Sequence, residues 1–119
     1  MEAEPIVIKI ERREVPVVLQ TDGADRHYVI KQFLAGDRNK YVRFLDSKSE
    51  TGPDGKRRLK AQDGIDVELL VHCLYEEGGA RVKREVIEGW PTDVIDALAE
   101  RASEINLVTK ESVEAAGNA

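Results

Sequence analysis

The first third of the chain alternates apolar and polar residues with a period of two, which is typical of half-buried β-strands. The first alternating segment covers residues 6–10, and a second covers residues 15–19. A third β-rich segment follows the turn signal Thr21-Asp22-Gly23 and extends from His27 to Phe33. Pro16 cannot donate a backbone hydrogen bond and therefore places the second strand at a sheet edge. The pattern predicts an antiparallel meander of three strands.

After Gly36 the apolar residues recur with the period of an α-helix. Two glycines at 78 and 79 provide a helix end, and the last apolar stripe follows a proline that suits a first helical position. We expect a first helix with Asp37 as its N-cap and a second helix from Asp63 to Gly78-Gly79. A short helical turn should follow over residues 82–88. The last helix should begin at Pro91, and its apolar face contains Val94, Ile95, Leu98, Ala102 and Ile105.

The expected fold is α+β, with a small N-terminal antiparallel three-stranded sheet followed by three to four helices. A single domain would cover residues 1–108, with strands at about 6–33 and helices at about 37–107. Residues 47–60 form a polar loop around the turn Gly52-Pro53-Asp54-Gly55. Residues 109–119 are small and polar, which predicts a flexible C-terminal tail.

Charge is distributed unevenly along the chain. Of 18 Lys+Arg and 23 Asp+Glu, residues 1–60 carry 13 and 10 (net +3), and residues 61–119 carry 5 and 13 (net −8), which sum to −5. This balance argues against general nucleic-acid binding, which needs a dominant basic face. It suits docking to a partner with a basic patch, and it leaves head-to-tail self-association open.

Features of secreted and membrane proteins are missing from the sequence. The acidic start lacks the pattern of a signal peptide, and no apolar segment approaches the roughly 18 residues of a membrane span. The single cysteine, Cys73, cannot form an internal disulfide. We therefore expect a location in the cytoplasm.

The residues that could carry catalysis are few. His72 and Cys73 are adjacent on a helix and point about 100° apart, so they cannot easily address one reacting atom. His27 lies in a predicted strand, and no glycine loop matches a phosphate-binding spacing. Structural zinc needs about four Cys or His ligands, and the chain has only three such residues, which are His27, His72 and Cys73. We expect no catalytic residue, no metal site and no cofactor.

Candidate partner-binding residues lie in the acidic second half of the chain. Trp90, the only tryptophan, is a residue type enriched in binding hot spots, although it also suits packing at the entry to the last helix. Glu76 and Glu77 lie where the helix dipole at the end of the second helix disfavours negative charge. The acidic face of the last helix, either a docking surface or a solvated face, adds Asp93, Asp96 and Glu100.

Five segments carry a family resemblance. They are Tyr28–Leu34, Arg38–Val42, Gly64–Leu70, Leu74–Gly79, and the ending formed by Pro91, Val94, Leu98 and Ile105-Asn106-Leu107. From about Tyr28 onward, their order resembles that of the tail assembly chaperones of long-tailed bacteriophages and prophages.

The resemblance implies a non-enzymatic protein of the host cytoplasm. Such chaperones bind the helical tape measure protein and assist assembly of tail-tube protein around it. Two other interpretations stay open: a structural virion component, such as a tail-completion or connector protein, and a bacterial protein-binding adaptor.

Overall fold

The computed structural model describes residues 3–59 and 64–106. In this part of the chain, an antiparallel sheet packs against four helices, so the expected α+β class is confirmed. The elements in chain order are β1 (Glu14–Thr21), β2 (Ala24–Lys31), α1 (Ala35–Ser47), β3 (Ser49–Thr51), β4 (Arg57–Leu59), α2 (Ile65–Cys73), β5 (Leu74–Glu76), α3 (Arg84–Glu88) and α4 (Thr92–Asn106).

The three-stranded sheet has the order β1-β2-β5, with both pairings antiparallel. β1 and β2 form a hairpin around Asp22-Gly23, where Gly23 adopts a φ of 86° that a side chain would strain. As Pro16 indicated, β1 is an edge strand. The predicted strand over residues 6–10 is wrong: this segment has no strand pairing, and β5 supplies the third strand instead.

The second helix is shorter than expected. It ends at Cys73 because Leu74 adopts extended geometry (φ −98°, ψ 128°) and pairs with Ile30 of β2. The two glycines belong to the turn that follows β5, where the Gly79 amide donates to the Glu76 carbonyl at 2.9 Å. Gly64, with a φ of 77°, is the N-cap of α2, and the proposed cap Asp63 lies outside the described residues.

The first helix also begins earlier than expected. Leu34 is its N-cap, and Asp37 is the third helical residue rather than the cap. The Asp37 carboxylate accepts a hydrogen bond from the Leu34 amide at 3.3 Å. Asp37 therefore satisfies a backbone donor at this helix end from within the first turn.

The last helix follows the predicted pattern. Leu98, Ala102 and Ile105 are buried, while Val94 and Ile95 pack against the core from its border. Pro91 directly precedes α4. Its carbonyl accepts from the Val94 and Ile95 amides at 3.1 and 3.2 Å.

The core lies between the inner face of the sheet and α1, α2 and α4. Its largest fully buried side chains are Ile30, Leu69, Leu70, Cys73, Leu74 and Ile87. The predicted polar loop over residues 47–60 contains the small hairpin of β3 and β4, with the expected turn at its tip.

The predicted flexible tail over residues 109–119 lies outside the described residues. Among the helices that the structure describes, none is long and apolar enough to cross a membrane.

Candidate protein-binding site

Three of the predicted partner-binding residues share one exposed face of α4. Asp93, Asp96 and Glu100 are spaced three and four residues apart, which aligns them along the helix. All three are exposed, whereas Leu98 and Ala102 face the core. The helix periodicity that buries one side of α4 therefore presents a row of carboxylates on another.

A fourth carboxylate joins this row from α2. The Asp66 carboxyl lies close enough to that of Asp96 for the two to influence each other's ionisation. Burial raises the pKa of Asp66, and the charge and hydrogen bond of Asp96 raise it further, because two neighbouring carboxyls favour sharing a proton. We refer to Asp66, Asp93, Asp96 and Glu100 as the acidic stripe.

The acidic stripe lacks compensating positive charge within the described ranges. No Lys or Arg whose side chain the structure describes forms an ion pair with its members. The next carboxylate along α4, Glu104, is already paired with Arg101 at 2.7 Å. The stripe is thus a concentrated negative surface, held in place by the packing of α2 against α4.

Trp90 occupies the corner between α3 and α4. Its ring packs edge-on against Tyr28, with 5.4 Å between centroids and 67° between planes. Its amide donates to the Ile87 carbonyl at 3.0 Å. The half-buried indole therefore fits the packing interpretation. Part of the indole remains exposed, and Trp90 precedes Asp93 of the acidic stripe by three residues in the chain.

The helix-dipole argument for Glu76 and Glu77 is wrong, because neither residue lies at a helix end. Glu76 is the last residue of β5, opposite Tyr28 in register, and Glu77 is in the following turn. Both are exposed. In the described part of the chain, no hydrogen bond or ion pair joins them to the acidic stripe, so the predicted set divides into two groups.

A buried ionic network, which the sequence analysis did not identify, connects α1, α2 and α3. At its centre is His72, whose Nε2 lies 3.0 Å from Glu68 Oε1 and whose Nδ1 lies 3.7 Å from Asp37 Oδ1. Arg81 binds the Asp37 carboxylate at 2.8 Å, and Arg84 binds that of Glu68. Both carboxylates and the imidazole are buried, while the guanidinium groups reach the surface.

Charge pairing controls the ionisation of the two buried carboxyls. Burial raises the pKa of Glu68, but hydrogen bonds from Arg84 and His72 outweigh it and leave this pKa below its ordinary value. The pKa of Asp37 is likewise lowered, because the hydrogen bond and charge of Arg81 outweigh burial. The i,i+4 spacing of Glu68 and His72 could have indicated their contact from the sequence. The spacing could not indicate Asp37, Arg81 and Arg84, because these residues join the network only through tertiary packing.

The cysteine is poorly suited to nucleophilic chemistry. Cys73 is fully buried, and burial raises the pKa of its thiol to about 12. Its sulfur accepts a hydrogen bond from Asn106 Nδ2 at 3.4 Å. The neighbouring imidazole of His72 instead faces Glu68 and Asp37.

Among the residues that the structure describes, no group of three or more His, Cys, Asp or Glu is arranged to hold a metal ion.

Comparisons of the chain with protein-family models, curated proteins and solved structures give no match.

Proposed function

We propose that this protein is a non-enzymatic chaperone that assists phage tail assembly, and that its acidic stripe docks a basic face of a helical partner. The observation that carries this proposal is the alignment of four carboxylates with no paired cation among the described residues. The resemblance to tail assembly chaperones supplies the partner: the tape measure protein, with tail-tube protein recruited during assembly.

The electrostatics of the stripe favour a positively charged partner. A Lys or Arg placed between Asp66 and Asp96 would stabilise both ionised carboxylates, which otherwise repel each other. The uncompensated charge would also accelerate encounter with such a partner, and this effect would weaken with salt. The same charge would repel the phosphates of nucleic acid.

The interior of the protein supports a binding role rather than catalysis. Cys73 lies away from solvent with a raised thiol pKa, and His72 is enclosed by two carboxylates that are themselves paired with arginines. This arrangement satisfies the charges it contains. A satisfied network of this kind braces the helices that position the acidic stripe.

The test compares two charge reversals of equal size. Asp96→Lys changes the centre of the stripe, and Asp25→Lys makes the same change at an exposed position of β2. With a tape measure protein as partner, as the resemblance implies, Asp96→Lys should weaken binding about tenfold and reduce its salt dependence. Asp25→Lys should bind like the unmodified chain.

Two results would count against the proposal. Equal affinities of both variants across a salt series would remove the acidic stripe as the docking surface. Recovery of the protein as a stoichiometric component of purified phage particles, with no binding to the tape measure protein, would replace the chaperone role with a structural one.

A further inference from the structure

The segment before β1 exposes an unusual amount of aliphatic surface. Residues 5–11, which we call the N-terminal arm, take no part in a sheet or helix. The side chains of Ile6, Val7, Ile8 and Ile10 are 87%, 89%, 78% and 97% exposed. Isolated exposed aliphatics are common, but four within five residues mark a segment that is suited to burial against something else.

The root of the arm is fixed in line with β1. The Arg13 carbonyl accepts from the Gln32 amide at 2.8 Å, which continues the β1–β2 ladder beyond its last paired residues. The Arg12 guanidinium donates to the Gln32 carbonyl at 2.8 Å and to the Tyr75 hydroxyl at 3.0 Å. A hairpin that returned the arm to its own β1 would need its turn here, and these bonds would have to break.

The outer edge of β1 is available for pairing. Within residues 3–59 and 64–106, no strand occupies it, whereas the outer edge of β5 is bridged by Arg81. The bond at Arg13 fixes the antiparallel alternation, so the amide groups of Val18 and Gln20 point away from β2. Pro16 removes one donor from this edge, which leaves the half of β1 nearer the turn for pairing.

The core beside this edge is incompletely covered. Val15, Val17 and Leu19 project from β1 towards the helices and pack on the core, but each remains only half-buried. A strand added outside β1 would place alternate side chains over them. Residues 6, 8 and 10 of the arm are isoleucines with this spacing.

We propose that the arm of one molecule adds as a strand to the β1 edge of a second copy, and that the exchange is reciprocal. The seven-residue arm is long enough to cover the half of β1 between Pro16 and the turn. Each copy offers one arm and one open edge, so a two-fold dimer satisfies both and leaves neither exposed. This inference does not depend on the proposed chaperone function.

Sedimentation of the full chain over a concentration series tests the exchange. Unmodified protein should form a concentration-dependent dimer. Ile8→Asp should raise the dimer dissociation constant by roughly thirtyfold or more, since it puts a charge where the proposed dimer would bury an isoleucine. The matched control is Val42→Asp on α1, which also adds Asp at an exposed aliphatic position and should dimerise normally.

A second variant tests the receiving edge. Val18→Pro removes an amide that points away from β2, so the β1–β2 hairpin should still form while the arm loses a bond. We expect this variant to be folded by circular dichroism and to dimerise more weakly. In hydrogen exchange, alternate amides within residues 6–10 should gain protection together with those of Val18 and Gln20 as the unmodified chain dimerises.

Several outcomes would overturn the proposal. These are a monomer at several hundred micromolar, a dimer that survives removal of residues 2–11, and arm protection that develops only when a different protein is added. The last result would assign the arm to that protein. If the unmodified chain dimerises as expected but does not bind the tape measure protein, only the proposed chaperone function is rejected.

Discussion

Replacing Glu68 by glutamine tests whether the buried ionic network stabilises the fold. Glu68 accepts from His72 through one oxygen and binds Arg84 through the other. An amide of the same shape can keep only one of these acceptors, because its NH2 group would face a donor. The change therefore leaves one cationic or imidazole donor without its partner inside the protein.

The expected cost follows from the burial of each partner. Breaking a fully buried ion pair costs about 3–5 kcal/mol, and a hydrogen bond to a charged group contributes about 1.5–3 kcal/mol. The Glu68 side chain is 11% exposed, but that of Arg84 is 42% exposed and can turn towards water. We therefore expect Glu68→Gln to lower the free energy of unfolding by about 2–3 kcal/mol, which is within the range for a hydrogen bond to a charged group and does not exceed the lower limit for a fully buried ion pair.

Urea denaturation followed by circular dichroism measures this loss directly. The matched control is Glu104→Gln, which removes an ion pair with Arg101 in which both side chains are more than half exposed. Exposed pairs contribute about 0–1 kcal/mol, so the control should change little. Equal effects of the two substitutions would refute the view that burial makes the network important.

The same network predicts a pH dependence with a definite sign. Glu68 and Asp37 have lowered pKa values in the folded state, so their pairing contributes stability that is fully present above the ordinary carboxyl pKa. This contribution disappears as pH falls through the lowered folded values. The stability difference between the unmodified chain and Glu68→Gln should therefore shrink below about pH 4. A constant difference would contradict the assignment.

Two further predictions concern Cys73 and Trp90. With a thiol pKa of about 12, native Cys73 should react with a disulfide reagent at pH 8 about a thousandfold more slowly than in urea, and rapid native labelling would contradict its burial. Trp90→Ala should lower the unfolding free energy by about 2 kcal/mol in a denaturant titration, while Trp90→Phe retains most of the Tyr28 contact. Equal losses in both variants would exclude ring packing as the cause.

Local patterns determined the class of the fold and several of its details. The period of two and the turn at Gly23 predicted the β1–β2 hairpin, and Pro16 predicted its edge position. The apolar face of α4 was also correct, because a helix exposes a fixed side to the core along its whole length. The charge of the second half predicted an acidic surface, and α4 carries it.

Tertiary pairing decided what these patterns left undetermined. Residues 6–10 have the alternation of a strand but no partner edge in the described chain, while residues 74–76 leave a helical pattern because Ile30 of β2 provides a ladder. Asp66 meets Asp96 only through the packing of α2 on α4. Periodicity specifies which face of an element is apolar, but contacts between elements depend on how all the faces pack together, and a single sequence segment does not contain that information.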